Sequence, residues 1–386
     1  MKIGIVGTGP AALMAGSQLL LRGAEVTFFD HKKAAGRKFL VAGHGGFNLS
    51  HAESQELFLS RYNCEEIRMY VREFSNRQLV AWLHTIGIET YEGSTGKIFP
   101  VKGTKPIEVL KAWLDWLSGK GAVFCYEHRM VDFSEDMLCM EYQGSEVKFS
   151  FDRLVLALGG GSWKKTGSDG SWVELFRSKG IAVEDLVAGN AGMNYDFREQ
   201  ASVLEGSVIK NVVISHGKTS RSGELTITSY GFEGGPVYHL NAAYRENPHI
   251  PLYVDLKPQW PQEKVSQIIA NASNTAEALK KMKLPKAAVW LLKTELSKAE
   301  YTSAKVLSEK IKSLPLKVNS LRPIDEAIST SGGVSWNAVN ADLSLKSFEK
   351  IAVCGEMLDW DAPTGGYLLQ ACFATGYYAG KQMPLD

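Results

Sequence analysis

Two glycine-rich turns, separated by more than 300 residues, contain the residue types best suited to ligand chemistry. The first has the pattern Gly-X-Gly-X-X-Ala, begins at Gly7 and follows the apolar run of residues 3–6. Gly7 permits a sharp turn, Gly9 lets the backbone approach a pyrophosphate, and the small Ala12 lets a helix lie against the strand. The N–H groups at the start of that helix attract phosphate. The pattern predicts a dinucleotide; a methyltransferase or an ordinary glycine turn is the alternative.

A second apolar run, residues 25–29, ends at Asp30. In such a fold a carboxylate at this position accepts hydrogen bonds from an adenosine ribose and disfavours a 2′-phosphate. The glycine-rich loop of residues 31–51 indicates a backbone that approaches a ligand rather than a slack surface loop. The basic side chains that would stand beside the pyrophosphate and adenosine are Lys33, Arg37 and Lys38.

The second turn lies near the C-terminus, after the short apolar run of residues 351–354. Glu356 follows that run, and Gly365 and Gly366 precede a helical segment over residues 367–380. A carboxylate suits the hydroxyls of a ribityl chain, and a helix N-terminus suits the electron-rich edge of an isoalloxazine ring. This second turn favours FAD over NAD alone as the ligand.

The sequence between the two glycine-rich turns predicts the strands that position these turns. Residues 153–158 are apolar after Arg153, as in a parallel strand buried on both faces, and three glycines follow at the carboxyl end. A small antiparallel addition is predicted from the strand-like residues 123–126, 137–142 and 147–151.

From about residue 187 the composition of the chain changes. Residues 223–240 and 250–258 are predicted to form strands interrupted by Gly and Pro. Residues 261–313 are rich in Lys, Glu and Ala, with apolar stripes at helical spacing. We therefore expect an inserted region of strands followed by a helical subdomain.

The overall composition is that of an ordinary globular protein of two or three domains. Of 386 residues, 45% are apolar and 22% charged, and the formal net charge of +1 disfavours a general polyanion binder. The five cysteines form no Cys-X-X-Cys pair, so we predict no metal site and no redox dithiol, and we expect the reducing cytoplasm. No run approaches the ~18 to 20 apolar residues of a membrane span, so no membrane partner is expected.

An ordered series of motifs resembles those of one protein family. The motifs are GTGPAALMAG at 7–16, GRKFLVAGHGGFNLSH at 36–51, GKIFP at 96–100, LALGGGSWKKTGSDG at 156–170, SYGFEGGPVY at 229–238, AISTSGGV at 327–334 and GEMLDWDAPTGGYLLQACFATG at 355–376. Over essentially its whole length the chain resembles the BaiN-like (YhiN-like, HI0933-like) bacterial FAD-dependent oxidoreductases. Many members have Gly-Arg-Cys-Asn in the second motif, where this chain has Gly45-Gly46-Phe47-Asn48, as in a subgroup with a GGLN-like sequence.

The resemblance implies an α/β fold of the two-dinucleotide-binding-domain flavoprotein type. Its split Rossmann-like FAD-binding domain would comprise residues 1–187 and 324–386. The insertion would comprise a β-barrel-like domain, residues 188–260 and 314–323, and a helical subdomain, residues 261–313. The implied FAD contacts are Gly7, Gly9, Pro10, Ala11, Asp30, Arg37, Lys38, Asn48, Leu49, Gly159, Gly160, Glu356, Gly366 and Tyr367, with Met130 and Val131 as further contacts to the adenine.

The resemblance also implies a reductase that delivers hydride to a conjugated C=C bond of a substrate held between the FAD domain and the insertion. NADH, NADPH and a reduced flavin or protein donor remain open as the reductant, because the sequence has no second glycine fingerprint for a dedicated nicotinamide domain. The candidate proton donors are Tyr230, His44 and His51. Two alternatives remain open: a flavin-dependent protein that reduces uridine in RNA, and a non-catalytic flavin-binding redox sensor. The sequence predicts no particular oligomeric state.

Overall fold

A computed structural model describes residues 1–41, 47–197 and 204–385 of the chain. The chain divides into two compact units, Met1–Val187 with Ile328–Asp386, and Ala188–Ala327. Each unit has its own cluster of buried apolar side chains, so each has its own hydrophobic core.

Strands and helices are numbered separately in chain order. The strands are β1 (Lys2–Val6), β2 (Glu25–Asp30), β3 (Ser50–His51), β4 (Thr90–Glu92), β5 (Lys97–Pro100), β6 (Val123–Tyr126), β7 (Arg129–Phe133), β8 (Met137–Tyr142), β9 (Ser145–Ser150), β10 (Arg153–Leu156), β11 (Val187–Gly189), β12 (Met193–Asn194), β13 (Val208–His216), β14 (Thr219–Thr228), β15 (Gly231–Glu233), β16 (Leu252–Asp255), β17 (Leu314–Leu316), β18 (Ser320–Leu321), β19 (Ser329–Ser331), β20 (Ser344–Leu345) and β21 (Phe348–Val353). The helices are α1 (Pro10–Leu21), α2 (Arg37–Val41), α3 (Gln55–Leu59), α4 (Glu65–Glu73), α5 (Asn76–Thr85), α6 (Pro106–Gly119), α7 (Val173–Ser178), α8 (Gly235–His239), α9 (Asn241–Glu246), α10 (Gln262–Ala270), α11 (Thr275–Lys281), α12 (Lys286–Glu295), α13 (Lys298–Thr302), α14 (Ala304–Lys312) and α15 (Tyr367–Gln382).

The first unit is built on a six-stranded sheet with the order β20-β21-β10-β1-β2-β6. All neighbours pair in parallel except β20, which is antiparallel to β21. Ile5 is paired with Val155 on one side and with Phe28 on the other, so the carboxyl ends of these strands share one edge. The predicted Rossmann-like sheet is confirmed, and its carboxyl edge is where such folds bind ligands.

The first and last helices of this unit, α1 and α15, pack closely against each other. A Cβ atom on Gly376 would lie 2.2 Å from the carbonyl oxygen of Ala11, and one on Gly380 would lie 2.4 Å from that of Ala15. Only glycine permits this backbone approach. The contact joins the two ends of the chain into one unit.

One predicted strand lies in a different sheet from the one expected. Residues 123–126, predicted in the antiparallel addition, form β6, the parallel edge strand beside β2. The antiparallel sheet instead has the order β7-β8-β9, so residues 129–133 supply the strand that the prediction missed. A parallel neighbour needs a crossover connection, and the long segment containing α6 provides one between β2 and β6.

The second unit contains a seven-stranded antiparallel sheet with the order β17-β16-β13-β14-β15-β12-β18. Over the described residues, no hydrogen-bonded ladder joins the terminal strands β17 and β18 to each other. Residues 235–239, predicted as strand, form the helix α8, because Pro236 stands in the first turn, where its missing N–H is not needed. The helices α10 to α14 lie between β16 and β17 in the chain.

Candidate functional site

A cavity of about 240 Å³ opens at the carboxyl edge of the parallel sheet in the first unit. Its wall comprises the turn after β1, the end of β2, part of β7, the loop after β10 and the turn after β21. Its volume lies a little below the ~300–1,000 Å³ of common ligand clefts. The cavity thus occupies the position at which an open α/β sheet binds its ligand.

Most of the predicted cofactor residues meet at this cavity. Those that line it are Gly7, Gly9, Pro10, Ala11, Asp30, Arg37, Lys38, Met130, Val131, Gly159 and Glu356. Those outside the lining are Asn48, Leu49, Gly160, Gly366 and Tyr367. His44 lies outside the described residues.

The two glycines of the first turn differ in what surrounds them. Gly7 has φ = 108°, and a Cβ atom on it would lie 2.3 Å from the carbonyl oxygen of Ala157. A Cβ atom on Gly9 would meet no atom within 4 Å. The fold therefore requires glycine at the first position, whereas open space beside the second is the cradle that a pyrophosphate would fill. Because α1 begins at Pro10, its free N–H groups lie next to that space.

Asp30, at the end of β2, is fixed by two hydrogen bonds. Its Oδ2 accepts from the hydroxyl of Thr8, and its Oδ1 accepts from the backbone N–H of Lys32 at 2.8 Å. Thr8 is buried, and sequence reasoning missed it, because its place between the two glycines is its only local signal. The carboxylate is thus oriented before any ribose binds.

A polar network joins the loop after β10 to the turn after β21. The ammonium group of Lys38 lies 2.6 Å from Glu356 Oε2 and 2.7 Å from Ser162 Oγ. Glu356 Oε1 accepts from the backbone N–H of Thr330 at 3.1 Å. Thr330 Oγ1 in turn accepts from the backbone N–H of Gly161 at 2.8 Å. Sequence reasoning missed Ser162 and Thr330 as structural partners, although both lie in the quoted motifs.

The start of α15 is held against β3. Gly366 has φ = 102°, and a Cβ atom on it would lie 2.6 Å from the Cα of Ser50 and 2.7 Å from Nδ2 of Asn48. That Nδ2 atom is buried and has no hydrogen-bond partner among the described residues. Leu49 is fully buried, and its N–H donates to the carbonyl of Ile98 at 2.8 Å. Asn48 therefore has a free donor beside the helix N-terminus.

Tyr367, the first residue of α15, is part of a small ionic cluster. Its hydroxyl donates to Glu53 Oε1 at 2.7 Å, and Arg61 forms a two-point ion pair with the same carboxylate. The ring of His51 stacks on the tyrosine ring with centroids 5.6 Å apart. Burial, and then the hydrogen bond to Glu53, raise the pKa of Tyr367. The phenol therefore keeps its proton at neutral pH.

Two cysteines, Cys354 and Cys372, also line the cavity. Burial raises the pKa of both thiols, that of Cys372 to about 12. A neutral thiol is a poor nucleophile. The cavity wall thus contains no thiolate chemistry at neutral pH from these two residues, and all five cysteines of the chain are free of disulfides.

Tyr230, the other candidate proton donor, lies in the second unit between β14 and β15. Its hydroxyl donates to Glu233, and the guanidinium carbon of Arg322 lies 4.2 Å from the ring centroid. Burial, followed by the adjacent carboxylate of Glu233, raises the pKa of Tyr230. This tyrosine therefore holds its proton at neutral pH.

With this geometry, comparison with known proteins identifies the family. The family described as "HI0933-like protein Rossmann domain" matches residues 1–382. The chain belongs to the HI0933-like family. It is accordingly an FAD-dependent oxidoreductase, as the motifs predicted, and the glycine cradle, Asp30 and Glu356 match the needs of that cofactor.

Three similar proteins span nearly the whole chain. The 3-dehydro-bile acid delta(4,6)-reductase of Clostridium scindens is 25% identical, over 98% of this chain and 98% of its own. The ribosomal RNA dihydrouridine synthase of Haemophilus influenzae is 23% identical, over 97% of this chain and 96% of its own. The 3-ketosteroid-delta4-(5alpha)-dehydrogenase structure from Rhodococcus jostii has a TM-score of 0.55 at 14% identity, covers 99% of this chain and 96% of its own, and shows a shared fold.

Two further properties concern the part of the chain that the structure describes. No helix in it is both long and apolar enough to cross a membrane. In the same residues, no group of three or more His, Cys, Asp or Glu side chains is arranged to hold a metal ion.

Proposed function

We propose that this oxidoreductase reduces a conjugated C=C bond of a small-molecule substrate, with NADH or NADPH as the source of hydride. The observation behind the proposal is the convergence of the first glycine-rich turn, Asp30 and Glu356 on one cavity. Bound FAD supplies hydride transfer. The C. scindens relative, whose name describes reduction of a 3-dehydro-bile acid, supports a C=C bond as the target.

The first unit is assigned to cofactor binding and the second to substrate recognition. The proposed contacts to the cofactor are Gly7, Gly9, Pro10, Ala11, Asp30, Arg37, Lys38, Asn48, Leu49, Met130, Val131, Gly159, Gly160, Glu356, Gly366 and Tyr367. The N–H groups at the start of α1 would bind the pyrophosphate, and Asp30 would accept from the adenosine ribose.

Glu356 would bind ribityl hydroxyls, and Lys38 would orient its carboxylate. The pair is at 2.6 Å, with side chains only 28% and 13% exposed, so the carboxylate has a compensating charge inside the cavity wall. The ion pair of Glu53 with Arg61 would fix the start of α15 through the hydroxyl of Tyr367. These residues bind and orient; none of them is assigned a proton transfer.

Tyr230 is the residue proposed to supply a proton to the substrate carbon. Its hydroxyl keeps its proton at neutral pH and donates it to Glu233, so that hydrogen bond must be exchanged for one to the substrate before the proton is transferred. The test is Tyr230→Phe, which removes the proton and keeps the ring. A fall in kcat by about 10²-fold or more with an unchanged rate of flavin reduction by the nicotinamide would support the role; an unchanged kcat would exclude it.

The proposal as a whole is tested by visible spectroscopy and anaerobic reduction. We expect flavin absorbance bands in the purified protein that bleach on titration with NADH or NADPH. Reoxidation under nitrogen by a 3-oxo-delta4 steroid, but not by the matched saturated ketone, would support C=C reduction. A colourless protein that takes up no added FAD would refute the cofactor assignment. A flavin that reoxidises with neither steroid nor other enones would refute the reaction.

A second candidate function, reduction of a base in RNA, is favoured by one charged segment. Residues 257–317 contain 12 lysines and five glutamates, a net charge of +7 in a chain of net charge +1. The ammonium groups of Lys257 and Lys264 lie 5.4 and 4.5 Å from the ring centroid of Trp260. Aromatic rings flanked by cations are common in single-stranded nucleic acid sites.

Filter binding of ribosomal RNA at a series of salt concentrations separates the two candidates. RNA-directed activity predicts an affinity that falls steeply with salt and weakens in the double variant Lys257→Gln, Lys264→Gln. Binding that is weak at low salt and insensitive to these changes would exclude this function and leave the small-molecule reductase.

A further inference from the structure

Two polar atoms in the cavity wall have no partner among the described residues. His31 Nε2 and Ser168 Oγ are shielded from solvent and neither makes a hydrogen bond there. Both residues line the cavity, and Ser168 is only 6% exposed. Buried polar atoms in folded proteins nearly always have a partner, so two such atoms in one ligand cavity indicate a partner that comes with the ligand.

These two atoms belong to adjoining parts of the cavity wall. A Cβ atom on Gly167 would lie 3.3 Å from Cε1 of His31, and Ser168 is the next residue in the chain. His31 directly follows Asp30, the carboxylate predicted to bind the adenosine ribose. His31 therefore lies at the end of β2 beside Asp30, and Ser168 Oγ lies beside Gly159, on which an added Cβ atom would be 3.1 Å from it.

The chemistry of both groups suits a neutral hydrogen-bonding ligand. Burial lowers the pKa of His31, although the carboxylates of Asp30 and Asp169 act in the opposite direction; Lys32 and Arg129 lower it further. A neutral imidazole and a serine hydroxyl can each donate or accept a hydrogen bond. A sugar hydroxyl, which also does both, is the matching group.

We propose that His31 Nε2 and Ser168 Oγ hydrogen-bond to the adenosine half of FAD, at its ribose hydroxyls. This inference rests on the proposed cofactor site. Neither residue belongs to the glycine fingerprint or to the acidic position after β2, and nothing in the local sequence pattern selects them. They add affinity for the adenosine half of the molecule without touching the reacting flavin.

The test is calorimetric titration of the flavin-stripped full chain with FAD and, separately, with ADP. His31→Leu and Ser168→Ala should each lower the affinity for FAD and for ADP by about 2- to 12-fold, the range expected for one lost hydrogen bond. The factor should be the same for FAD and ADP, because ADP contains the adenosine half alone. His31→Gln, which keeps a polar group, should retain most of the affinity.

Matched substitutions outside the cavity provide the controls. His84→Leu changes a histidine that is 70% exposed and paired with Glu89, and Ser134→Ala changes a half-buried serine outside the cavity lining whose hydroxyl donates to Asp136. Both should leave FAD and ADP affinity unchanged. The melting temperature of each flavin-stripped variant should stay near that of the parent, which shows that it is folded.

Each remaining outcome is decisive. Unchanged FAD affinity in both His31→Leu and Ser168→Ala would overturn the inference while leaving the cofactor site intact. A loss of FAD affinity without a loss of ADP affinity would assign the contacts to the flavin half and refute the adenosine assignment. Failure of the parent protein to bind FAD would refute the proposed function, and the inference with it.

Discussion

Lys38→Met should destabilise the flavin-stripped protein far more than an ordinary surface substitution does. The change removes the ammonium group that lies 2.6 Å from Glu356 and 2.7 Å from Ser162. Among the described residues, Glu356 would keep only neutral donors, the backbone N–H groups of Thr330 at 3.1 Å and Gly160 at 3.4 Å. Its charge would then stand uncompensated in the cavity wall.

The exposed fractions of the Lys38 and Glu356 side chains determine how much stability the substitution should cost. Breaking a fully buried ion pair costs about 3–5 kcal/mol, whereas exposed pairs contribute about 0–1 kcal/mol. Because the two side chains are 28% and 13% exposed, the expected loss in free energy of unfolding is about 2–3 kcal/mol. Lys33→Met is the matched control, since Lys33 is 83% exposed and lies 3.6 Å from Glu127. Its cost should stay below about 0.5 kcal/mol.

Urea unfolding, followed by tryptophan fluorescence at constant pH and salt, measures these differences from shifts in the midpoint at unchanged slope. The double variant Lys38→Met, Glu356→Gln removes both charges and should recover at least about 1 kcal/mol relative to Lys38→Met alone. If Lys38→Met costs no more than Lys33→Met, or if the second change recovers nothing, the reasoning about the buried pair is wrong.

Three further predictions follow from individual residues. Gly9→Ala should change the free energy of unfolding of the flavin-stripped protein by no more than about 0.5 kcal/mol, yet it should weaken FAD binding at least tenfold. Gly7→Ala should lower the free energy of unfolding by about 2 kcal/mol or more. Urea unfolding and FAD titration check both variants. His216→Leu should stabilise the protein by about 1–2 kcal/mol in a thermal melt, because this buried histidine has no partner for either ring nitrogen among the described residues. Burial, and then neighbouring carboxylates, raise the pKa of Asp359 above its ordinary 3.8, so its ionised form is unfavourable in the folded state. Asp359→Asn should therefore raise stability at pH 7, and the gain should disappear in unfolding curves measured below pH 3.8.

The parts of the site that sequence predicts are those fixed by local geometry. Gly7 is needed because a side chain there would collide with the backbone at Ala157, and this requirement appears as a short glycine spacing. Asp30 is found because the end of an apolar strand determines where the next polar residue stands. Glu356 is found for the same reason after β21.

Contacts between distant segments have no such local signal. The ion pair of Lys38 with Glu356 joins residues 318 positions apart, and Thr330 bonds the N–H of Gly161 across 169 positions. The local sequence around each of these residues does not distinguish it from any other lysine, glutamate or threonine in a loop. The unpartnered atoms of His31 and Ser168 likewise become visible only when the cavity is formed.

The errors in the fold have the same origin. A four-residue run such as residues 123–126 suits a parallel or an antiparallel neighbour equally well, so only the pairing with β2 decides its sheet. The Gly-Pro pair that begins α8 can interrupt a strand or start a helix, and the tertiary structure around it selects the helix.

The close packing of α15 on α1 has a consequence for how the protein is made. At synthesis rates of about 5–20 residues per second, the ribosome completes α15 roughly 18 to 70 s after it completes β2. Residues 188–327 are all made before β21, Glu356 and α15, so the first unit still lacks these parts when the synthesis of the inserted unit is complete. The inserted unit can therefore fold first, and the first unit is completed only after α15 has been made. Nascent chains should need protection of the early apolar strands until α15 packs on α1.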